Sequence, residues 1–263
     1  MSLKYFFKKK IKSNVFWWEP KDGSVNAGDH LSKVVVELVL SLKDKDIFNK
    51  KSSKNKLLSI GSVMHFAKDG DCIWGTGVNG KIDPKKITCK NLDIRAVRGP
   101  CTRDFLLEKN FTVPEVFGDP GILLPLFYDK KLFIHDEEHL KDFVVIPHMN
   151  EDLSFYKNYE NNICSPKQGA LSFVREIVNS KFVISSSLHG LIIAESYGIP
   201  AVFLEGDSGE SLFKYNDYYL GTGRTKYSRV KNVEDAFDCT NEPIRDLYER
   251  QMALVASFPY DLW

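Results

Sequence analysis

The chain has 263 residues, of which 43% are hydrophobic and 27% charged, a composition typical of a soluble globular protein with one large domain or two domains of ordinary size. Lys and Arg number 36 against 35 Asp and Glu, so the formal net charge of +1 provides no general attraction for nucleic acid or for an acidic polymer. We therefore expect no nucleic-acid partner, and an anionic ligand must be bound by a local cluster of groups.

The cysteines and the apolar runs indicate the cellular compartment. The five cysteines have no CxxC spacing, so we expect neither disulfide bonds nor a zinc site, and the pattern favours the cytoplasm. No apolar run approaches ~18 residues, so no transmembrane helix is predicted. The first segment, "MSLKYFFKKKIKSN", mixes aromatic residues with lysines but lacks the apolar core of a secretion signal. We interpret it as a solvated lead-in to the first strand. The alternative is a peripheral contact with the inner face of the membrane.

The first half of the chain alternates short apolar strands with helices. The predicted strands are "NVFWWE", "LLSIGSVM", "DCIWGTG" and "LDIRAVRG". The predicted helices are "LSKVVVELVLSL" and "CTRDFLLEKN", the second of which follows Pro100, a residue common at the start of a helix. Strands that are apolar throughout and alternate with helices indicate a parallel sheet covered on both faces.

A second series of the same kind follows. Its predicted strands are "FVVIPHMN", "NICSP", "KFVISSS" and "IPAVFLE", with the helices "ALSFVREIVNS" and "GLIIAESYG" between them. We therefore predict an α/β protein with two Rossmann-like, doubly wound domains, residues 1–130 and 131–263, joined near residues 124–142. The segment "EPIRDLYERQMALVASF" near the end is an amphipathic helix that we expect to pack back across the first domain.

Candidate site residues lie where parallel strands end and helices begin, because ligands bind at that edge of an open sheet. In "NAGDHLS", Gly28 permits close backbone approach, and Asn26 and Asp29 lie at a helix start whose amides could bind an anion or hydroxyls; a simple N-cap is the alternative. "GTGVNG" lacks the helix that must follow a dinucleotide fingerprint. Gly77 marks either a loop that substrate approaches or a plain turn.

Further candidates follow later strands. Arg98, in "AVRGPCTRDFL", can bind a carboxylate or phosphate through paired hydrogen bonds. Asp119, in "FGDPGILLP", could orient a sugar hydroxyl or stabilise its turn, and His148 ends a strand of the second series. Lys214 and Arg224 flank the segment "YNDYYLGTG", interpreted as a loop, and could supply further cations. The acidic residues near these motifs are not clustered, so we expect no metal site.

The stretch "VISSSLHGLIIAESYGIPAVFLE" carries the sharpest signal. A serine such as Ser186 or Ser187 would suffice to cap the helix that begins there. His189 in its first turn adds what a cap lacks: it can hydrogen-bond an anion and move a proton near neutral pH.

Taken together, "NAGDHLS", "IWGTGV", "AVRGPCTRDFL", "FGDPGILLP" and "SSSLHGLIIAESYGIP" resemble the polysaccharide pyruvyl transferase family over residues 26–224. The resemblance implies two domains arranged as in GT-B glycosyltransferases. It also implies transfer of pyruvate from phosphoenolpyruvate, the donor substrate, to two hydroxyls of a sugar, which gives a cyclic ketal and releases phosphate. The acceptor would be a sugar or lipid-linked oligosaccharide of a bacterial surface polysaccharide, and no cofactor is implied.

The resemblance also implies roles for individual residues. His189 matches the family's S-x-x-x-H-G histidine, taken as a general acid, on the donor side. Arg98 matches its R-G-P arginine, implied in binding phosphoenolpyruvate, in the domain that would bind the acceptor. Asp29 is a candidate base towards a sugar hydroxyl. Many members carry an arginine where this chain has Ser187, so Arg98, Lys214 or Arg224 would have to bind the donor anion instead.

Two other functions are consistent with the sequence. A GT-B glycosyltransferase that uses a nucleotide sugar would have a similar fold, and Glu195 could then bind the donor ribose; it would not require the "NAGD" and "RGP" segments. A non-catalytic, sugar-binding member of a polysaccharide assembly complex is favoured by Ser187 in place of arginine.

Overall fold

A computed structural model of the chain describes residues 14–20, 22–48, 55–134 and 140–263. The described residues form two four-stranded sheets, each with parallel strands in chain order. The first sheet contains β1 (Val15–Phe16), β2 (Leu57–Leu58), β3 (Cys72–Trp74) and β4 (Asp93–Ala96). The second contains β5 (Val144–Ile146), β6 (Val183–Ser185), β7 (Ala201–Leu204) and β8 (Arg229–Val230). The two series of alternating elements predicted from the sequence are thus confirmed as an α/β fold.

Seven α-helices accompany the strands within the described residues. They are α1 (Ala27–Ser41), α2 (Pro100–Glu108), α3 (Leu124–Phe127), α4 (Ala170–Val178), α5 (Leu188–Ser196), α6 (Phe213–Gly221) and α7 (Leu247–Ala256). Short 3-10 turns connect several of them, of which the turn at Pro120–Leu123 packs against α1, α5 and α7. None of these helices is both long and apolar enough to cross a membrane.

The winding differs between the two sheets. The predicted strand "NICSP" is reduced to a single parallel bridge between Ile163 and Val145, on the side of β5 away from β6. The chain therefore passes first to one side of β5 and then to the other, which is the reversal that defines a doubly wound sheet. In the first sheet the order β1-β2-β3-β4 continues to a bridge between Val97 and Phe117, so the described strands show no such reversal.

One local prediction is confirmed and two need correction. The helix predicted to open within "NAGDHLS" begins at Ala27, where the Asn26 side chain caps it by accepting a hydrogen bond from the Gly28 amide at 3.1 Å. The segment interpreted as a loop around Lys214 is helix α6, whose tyrosines are buried at helical spacing. Strand β8 was not predicted from its two residues.

Helix α7 contacts the first half of the chain. The Trp74 indole donates to the carbonyl oxygen of Leu254 at 2.9 Å, and the Gln251 amide donates to the carbonyl oxygen of Ile122 at 2.7 Å. Leu254 is fully buried in the main hydrophobic core. The predicted division at residue 130 stays a prediction, and the basic N-terminal segment 1–13 lies outside the described residues.

Candidate active site

A cavity of about 240 Å³ lies between the carboxyl ends of the two sheets. Asn26 and Asp29 reach it from the start of α1, which follows β1, and Ser62 from the loop after β2. The second sheet supplies segments after β5, β6 and β7, among them His148 and His189. The edge at which parallel sheets bind ligands is therefore shared by both halves of the chain.

The N-terminus of α1 places a buried carboxyl in this cavity. The Asn26 amide donates to Asp29 Oδ2 at 2.7 Å, while its oxygen caps the helix. Burial raises the pKa of Asp29 to about 7, with the Lys214 ammonium opposing the shift and the Asp119 carboxyl adding to it. Such a carboxyl can accept a proton near neutral pH, as a general base must.

The N-terminus of α5 supplies amides and an imidazole. Within the described residues no side chain caps this helix, so its first amides and the positive end of its dipole are available at the cavity beside Ser187. His189 Nε2 is buried without a hydrogen-bond partner. Burial, together with the positive charges of Lys214 and Arg98, lowers the pKa of His189 to about 3. The free protein therefore holds a neutral imidazole with an unused polar atom.

Close contact between the two helix starts depends on Gly28. A Cβ atom at Gly28 would lie 2.0 Å from His189 Nδ1, far inside van der Waals contact. Only glycine lets the imidazole lie against the first turn of α1, which also carries Asp29. Gly28 is therefore in close contact with His189, the catalytic candidate from the second half of the chain.

Lys214 is the buried cation of the cavity. Its ammonium donates to Glu210 Oε2 at 2.6 Å, and Glu210 Oε1 accepts from Lys81 at 2.5 Å. His148 Nε2 lies 3.9 Å from the same carboxylate. Burial would raise the pKa of Glu210, but the two ammonium groups outweigh it and lower that pKa to about 2. Glu210 thus binds Lys214 and Lys81 with its two carboxylate oxygens.

Ser186 supports the cavity from behind its wall, and His148 is part of the lining. The Ser186 hydroxyl donates to Glu151 Oε2 at 2.5 Å and accepts from the His148 amide at 2.8 Å. Tyr156 also donates to Glu151 Oε2, at 2.9 Å. Ser186 is buried and does not line the cavity, whereas His148 does. Burial and the Lys214 charge lower the pKa of His148 to about 4.

Arg98 is fully buried behind the cavity wall, where it donates hydrogen bonds to three groups. Its guanidinium donates to Asp217 Oδ2 at 3.0 Å, to the Ser62 hydroxyl at 2.6 Å and to the carbonyl oxygen of Val78 at 2.6 Å. A Cβ atom at Gly77 would lie 2.4 Å from Arg98 Cζ, so Gly77 makes room for the guanidinium. Of these groups only Ser62 lines the cavity, so Arg98 reaches it through that hydroxyl.

Comparison of the sequence with known protein families shows the family of this chain. The family described as polysaccharide pyruvyl transferase matches residues 26–208, which include both helix starts of the cavity. The chain belongs to the polysaccharide pyruvyl transferase family. It is therefore a pyruvyl transferase by family, and the resemblance predicted from its motifs is confirmed.

Two curated relatives are similar to this pyruvyl transferase over most of its length. An uncharacterized protein of Acanthamoeba polyphaga mimivirus is 27% identical over 241 residues, covering 85% of this chain and 82% of the relative. The succinoglycan biosynthesis protein ExoV of Rhizobium meliloti (strain 1021) is 25% identical over 223 residues, covering 80% of this chain and 65% of ExoV. No solved structure matches the chain.

Two other predicted residues of the pyruvyl transferase lie away from the cavity lining. Asp119 is fully buried, where Oδ1 accepts from the Gly121 amide at 2.9 Å and Oδ2 has no hydrogen-bond partner. Burial raises the pKa of Asp119 to about 6. Arg224 is bound by Glu195 at 2.7 Å, and its guanidinium lies 4.5 Å from the centre of the Tyr219 ring. Arg224 is therefore occupied as part of a buried ion pair and is not brought to the cavity.

Some residues of the site were missed from the sequence. Glu210 and Lys81 lie in polar loops without a motif, and Glu151 follows a strand end by a few residues in an unremarkable acidic segment. Asp217 lies in the segment misread as a loop. A signal did exist for Asp217: its position in a helical pattern of buried tyrosines places a charge on the buried face, where it requires a partner.

Proposed function

We propose that this enzyme transfers pyruvate from phosphoenolpyruvate onto two hydroxyls of one sugar in a polysaccharide or its precursor, forming a cyclic ketal and releasing phosphate. The observation that carries the proposal is the convergence of an uncapped helix N-terminus, a neutral histidine and a buried lysine on one cavity. ExoV, by its description, serves succinoglycan biosynthesis, which supports a polysaccharide as the acceptor class.

The donor carries a carboxylate and a phosphate, so its site must supply several positive or donating groups. The first amides of α5, the Ser187 hydroxyl and Lys214 can do so within the cavity. Lys214 is already paired with Glu210, so an incoming anion competes with that carboxylate. In this arrangement Lys214 and the helix dipole replace the arginine that many family members carry at the position of Ser187.

The proposed reaction uses two sugar hydroxyls in two steps. In the first step an acceptor O–H adds across the donor double bond: oxygen bonds to C2, and C3 gains a proton and becomes a methyl group. In the second step the neighbouring hydroxyl oxygen bonds to C2 while the C2–O bond to phosphate breaks, and its proton leaves with the phosphate or to a base. Asp29, with a pKa near 7, is the group placed to accept the hydroxyl protons.

His189 is the proton donor of this scheme. In the free protein it is neutral, because burial and nearby cations disfavour its charged form. A multiply charged anion bound beside it reverses the local field and raises its pKa, so donor binding and proton uptake are coupled. The unpartnered Nε2 is the atom from which the proton passes to C3 or to the leaving phosphate.

Finer features of the fold and location belong to the same proposal. We infer a GT-B-like arrangement of the two sheets, with the donor on the side of α5 and the acceptor on the side of α1. We also place the enzyme in the cytoplasm, at the inner face of the membrane where lipid-linked precursors are presented. The rival use of a nucleotide sugar receives no support from Glu195, because both of its carboxylate oxygens are bound by Arg224.

Thermal unfolding with and without millimolar phosphoenolpyruvate tests the donor. A ligand that binds only the native state at a hundred times its dissociation constant stabilises that state by about 2.7 kcal/mol, which is a clear rise in Tm. The rise should disappear in Lys214→Met and persist in the control Lys181→Met, whose side chain is exposed outside the cavity. Phosphate release on addition of acceptor glycans then tests transfer. A wild-type protein that phosphoenolpyruvate does not stabilise would contradict the proposed donor.

A further inference from the structure

A second cavity of about 160 Å³ adjoins the first at the N-terminus of α1. Its wall is the loop that joins β1 to α1, together with His30 from the first turn of that helix. Trp18 and Asn26 line both cavities. A ligand that extends from the active-site cavity past these two residues therefore enters the second cavity.

The lining of the second cavity combines aromatic faces with groups that bind hydroxyls. Trp17 and Trp18 are both partly exposed there, each packed on its other side against a hydrophobic core. The Glu19 carboxylate accepts a hydrogen bond from the Trp17 indole at 3.0 Å and keeps further acceptor capacity. His30 Nδ1 is buried without a hydrogen-bond partner. His30 belongs to the lining of the cavity, and a buried polar atom for which the described residues supply no partner calls for an explanation, which a bound ligand would provide.

Hydrogen bonds within the loop hold its conformation. Asp22 accepts hydrogen bonds from the Ser24 amide at 3.0 Å and from the Ser24 hydroxyl at 2.7 Å. Gly23 takes a positive φ of 78° in the same turn, and its amide donates to the carbonyl oxygen of Pro20 at 3.2 Å. The Trp17 ring also meets the His30 ring edge-on, with ring centres 6.4 Å apart. The cavity is therefore preformed, which lowers the entropy lost on binding.

We propose that the second cavity is a carbohydrate subsite that binds one pyranose unit of the acceptor glycan, next to the unit that receives pyruvate. The assignment as an acceptor subsite rests on the proposed function; that the cavity binds a sugar rests on its lining. The C–H face of a pyranose packs on a tryptophan face because both are apolar, while its ring of hydroxyls needs acceptors and donors such as Glu19 and His30. Asn26, which also binds Asp29, marks the passage between the two units.

The subsite can be tested by fluorine NMR on protein labelled with 5-fluorotryptophan. The chain has four tryptophans, so four resonances are expected, assigned through Trp→Phe variants. Methyl glycosides of glucose, galactose and mannose and the disaccharides cellobiose and lactose serve as probes. We expect at least one of these sugars to shift the Trp17 and Trp18 resonances saturably. Trp74 and Trp263 are buried elsewhere and should not respond, which makes them internal controls.

Two variants, one in the second cavity and one outside it, test whether the sugar binds there. Glu19→Gln keeps the shape of an exposed side chain but removes its charge, and should weaken sugar binding about tenfold. Phe155→Leu alters an exposed aromatic residue elsewhere and should leave the affinity unchanged. Absence of any saturable shift at Trp17, or equal affinities in wild type and Glu19→Gln, would overturn the subsite. Sugar shifts at Trp17 without stabilisation by phosphoenolpyruvate would instead contradict the proposed donor and leave the carbohydrate subsite standing.

Discussion

At the scale of single residues, the site is defined by groups whose charge states differ from those in water. Asp29 and His189 lie at two adjoining helix starts, one with a raised and the other with a lowered pKa. Each is therefore closer to its neutral form than it would be on the surface. In the free protein the higher pKa belongs to Asp29, so the proposed roles of His189 as acid and Asp29 as base require the pKa of His189 to rise when the anionic donor binds.

Replacing His189 with Gln should reduce the rate of transfer by roughly 10²–10⁴-fold, because the side chain keeps hydrogen-bonding capacity but cannot carry the proton. Phosphate release measured with saturating donor and acceptor checks this. His65→Gln is the matched control, since His65 lines the same cavity but, unlike His189, has no buried ring nitrogen that lacks a partner among the described residues. Turnover in His189→Gln close to that of wild type would remove His189 from the mechanism.

Replacing Asp29 with Asn should change the pH dependence of stability. Because the folded-state pKa of about 7 exceeds the usual value of 3.8, the folded protein binds the proton more tightly, and this contribution is lost as pH rises through about 7. Asp29→Asn should therefore match wild type at about pH 4 and be more stable at about pH 8, by up to about 4 kcal/mol. Urea unfolding at both pH values measures the difference.

The same variant should lose transfer activity, so stability and function move in opposite directions at Asp29. Asp104→Asn, on the exposed side of α2, should alter neither quantity. If Asp29→Asn shows the same stability difference from wild type at both pH values, the carboxyl does not titrate as described.

At the scale of elements, the decisive feature is the contact between the first turns of α1 and α5. Each helix starts at the carboxyl edge of its sheet, so two positive dipole ends meet at one cavity. Gly28 sets how closely they approach, because His189 occupies the volume that any side chain there would need. The contact is local, but it joins residues from opposite halves of the chain.

Gly28→Ala should displace the His189 ring and reduce transfer by at least about tenfold, since a shift of about 1 Å in a catalytic group can cost up to about a hundredfold. Gly169→Ala is the control: Gly169 also lies at a helix start with negative φ, and the atom nearest to its added Cβ would be Ser172 Oγ at 3.9 Å. Steady-state rates with thermal unfolding separate the two effects. Equal activity in both variants would show that the His189 ring position is not constrained by α1.

Elements were predictable from sequence where their reason is local. The Asn26 cap and the apolar runs of β3, β6 and β7 are written in adjacent residues. Helix α6 was missed because its buried charges at Lys214 and Asp217 look like a solvated loop until their partners are known. Asp217 pairs with Arg98, which is 119 residues away in the sequence. A pattern within a short stretch of sequence cannot predict such a distant partner.

At the scale of the whole molecule, the halves are joined through buried polar contacts. Arg98 from the first half and Asp217 from the second are both fully buried and form an ion pair. Asp217 also accepts from the Thr102 amide at 2.9 Å and from its hydroxyl. A buried pair of this kind adds little net stability compared with apolar residues of the same shape, but removing one partner alone is costly because the other charge stays buried.

Arg98→Met should destabilise the protein by about 3–5 kcal/mol, because it leaves the Asp217 carboxylate buried without its cation. The double variant Arg98→Met, Asp217→Leu should recover part of that loss. Urea unfolding measures both. Lys181→Met breaks the exposed pair with Asp142 and should produce no measurable change. A double variant less stable than the sum of its two single variants would mean that Arg98 stabilises through contacts other than the Asp217 pair.

The cavity lies at the carboxyl ends of the strands, where the sequence placed the candidate residues, but the sequence did not indicate the partners of the two predicted arginines. Arg98 and Arg224 were both interpreted as anion-binding groups, yet each has a buried carboxylate partner in the structure. A guanidinium at a strand end can bind a ligand or an internal carboxylate equally well. Only the three-dimensional positions of Asp217 and Glu195 show which of these the free protein adopts.

The return of the chain to its first half has a consequence for biosynthesis. Leu254, Phe258 and Trp263 are buried in the main core with β3, and the Trp263 carbonyl oxygen accepts from Lys45 at 2.6 Å. During synthesis the first sheet leaves the ribosome well before these residues do, with part of its apolar surface uncovered. A fragment of the chain that ends before α7 should therefore leave apolar surface of β3 uncovered and aggregate more readily than the full chain.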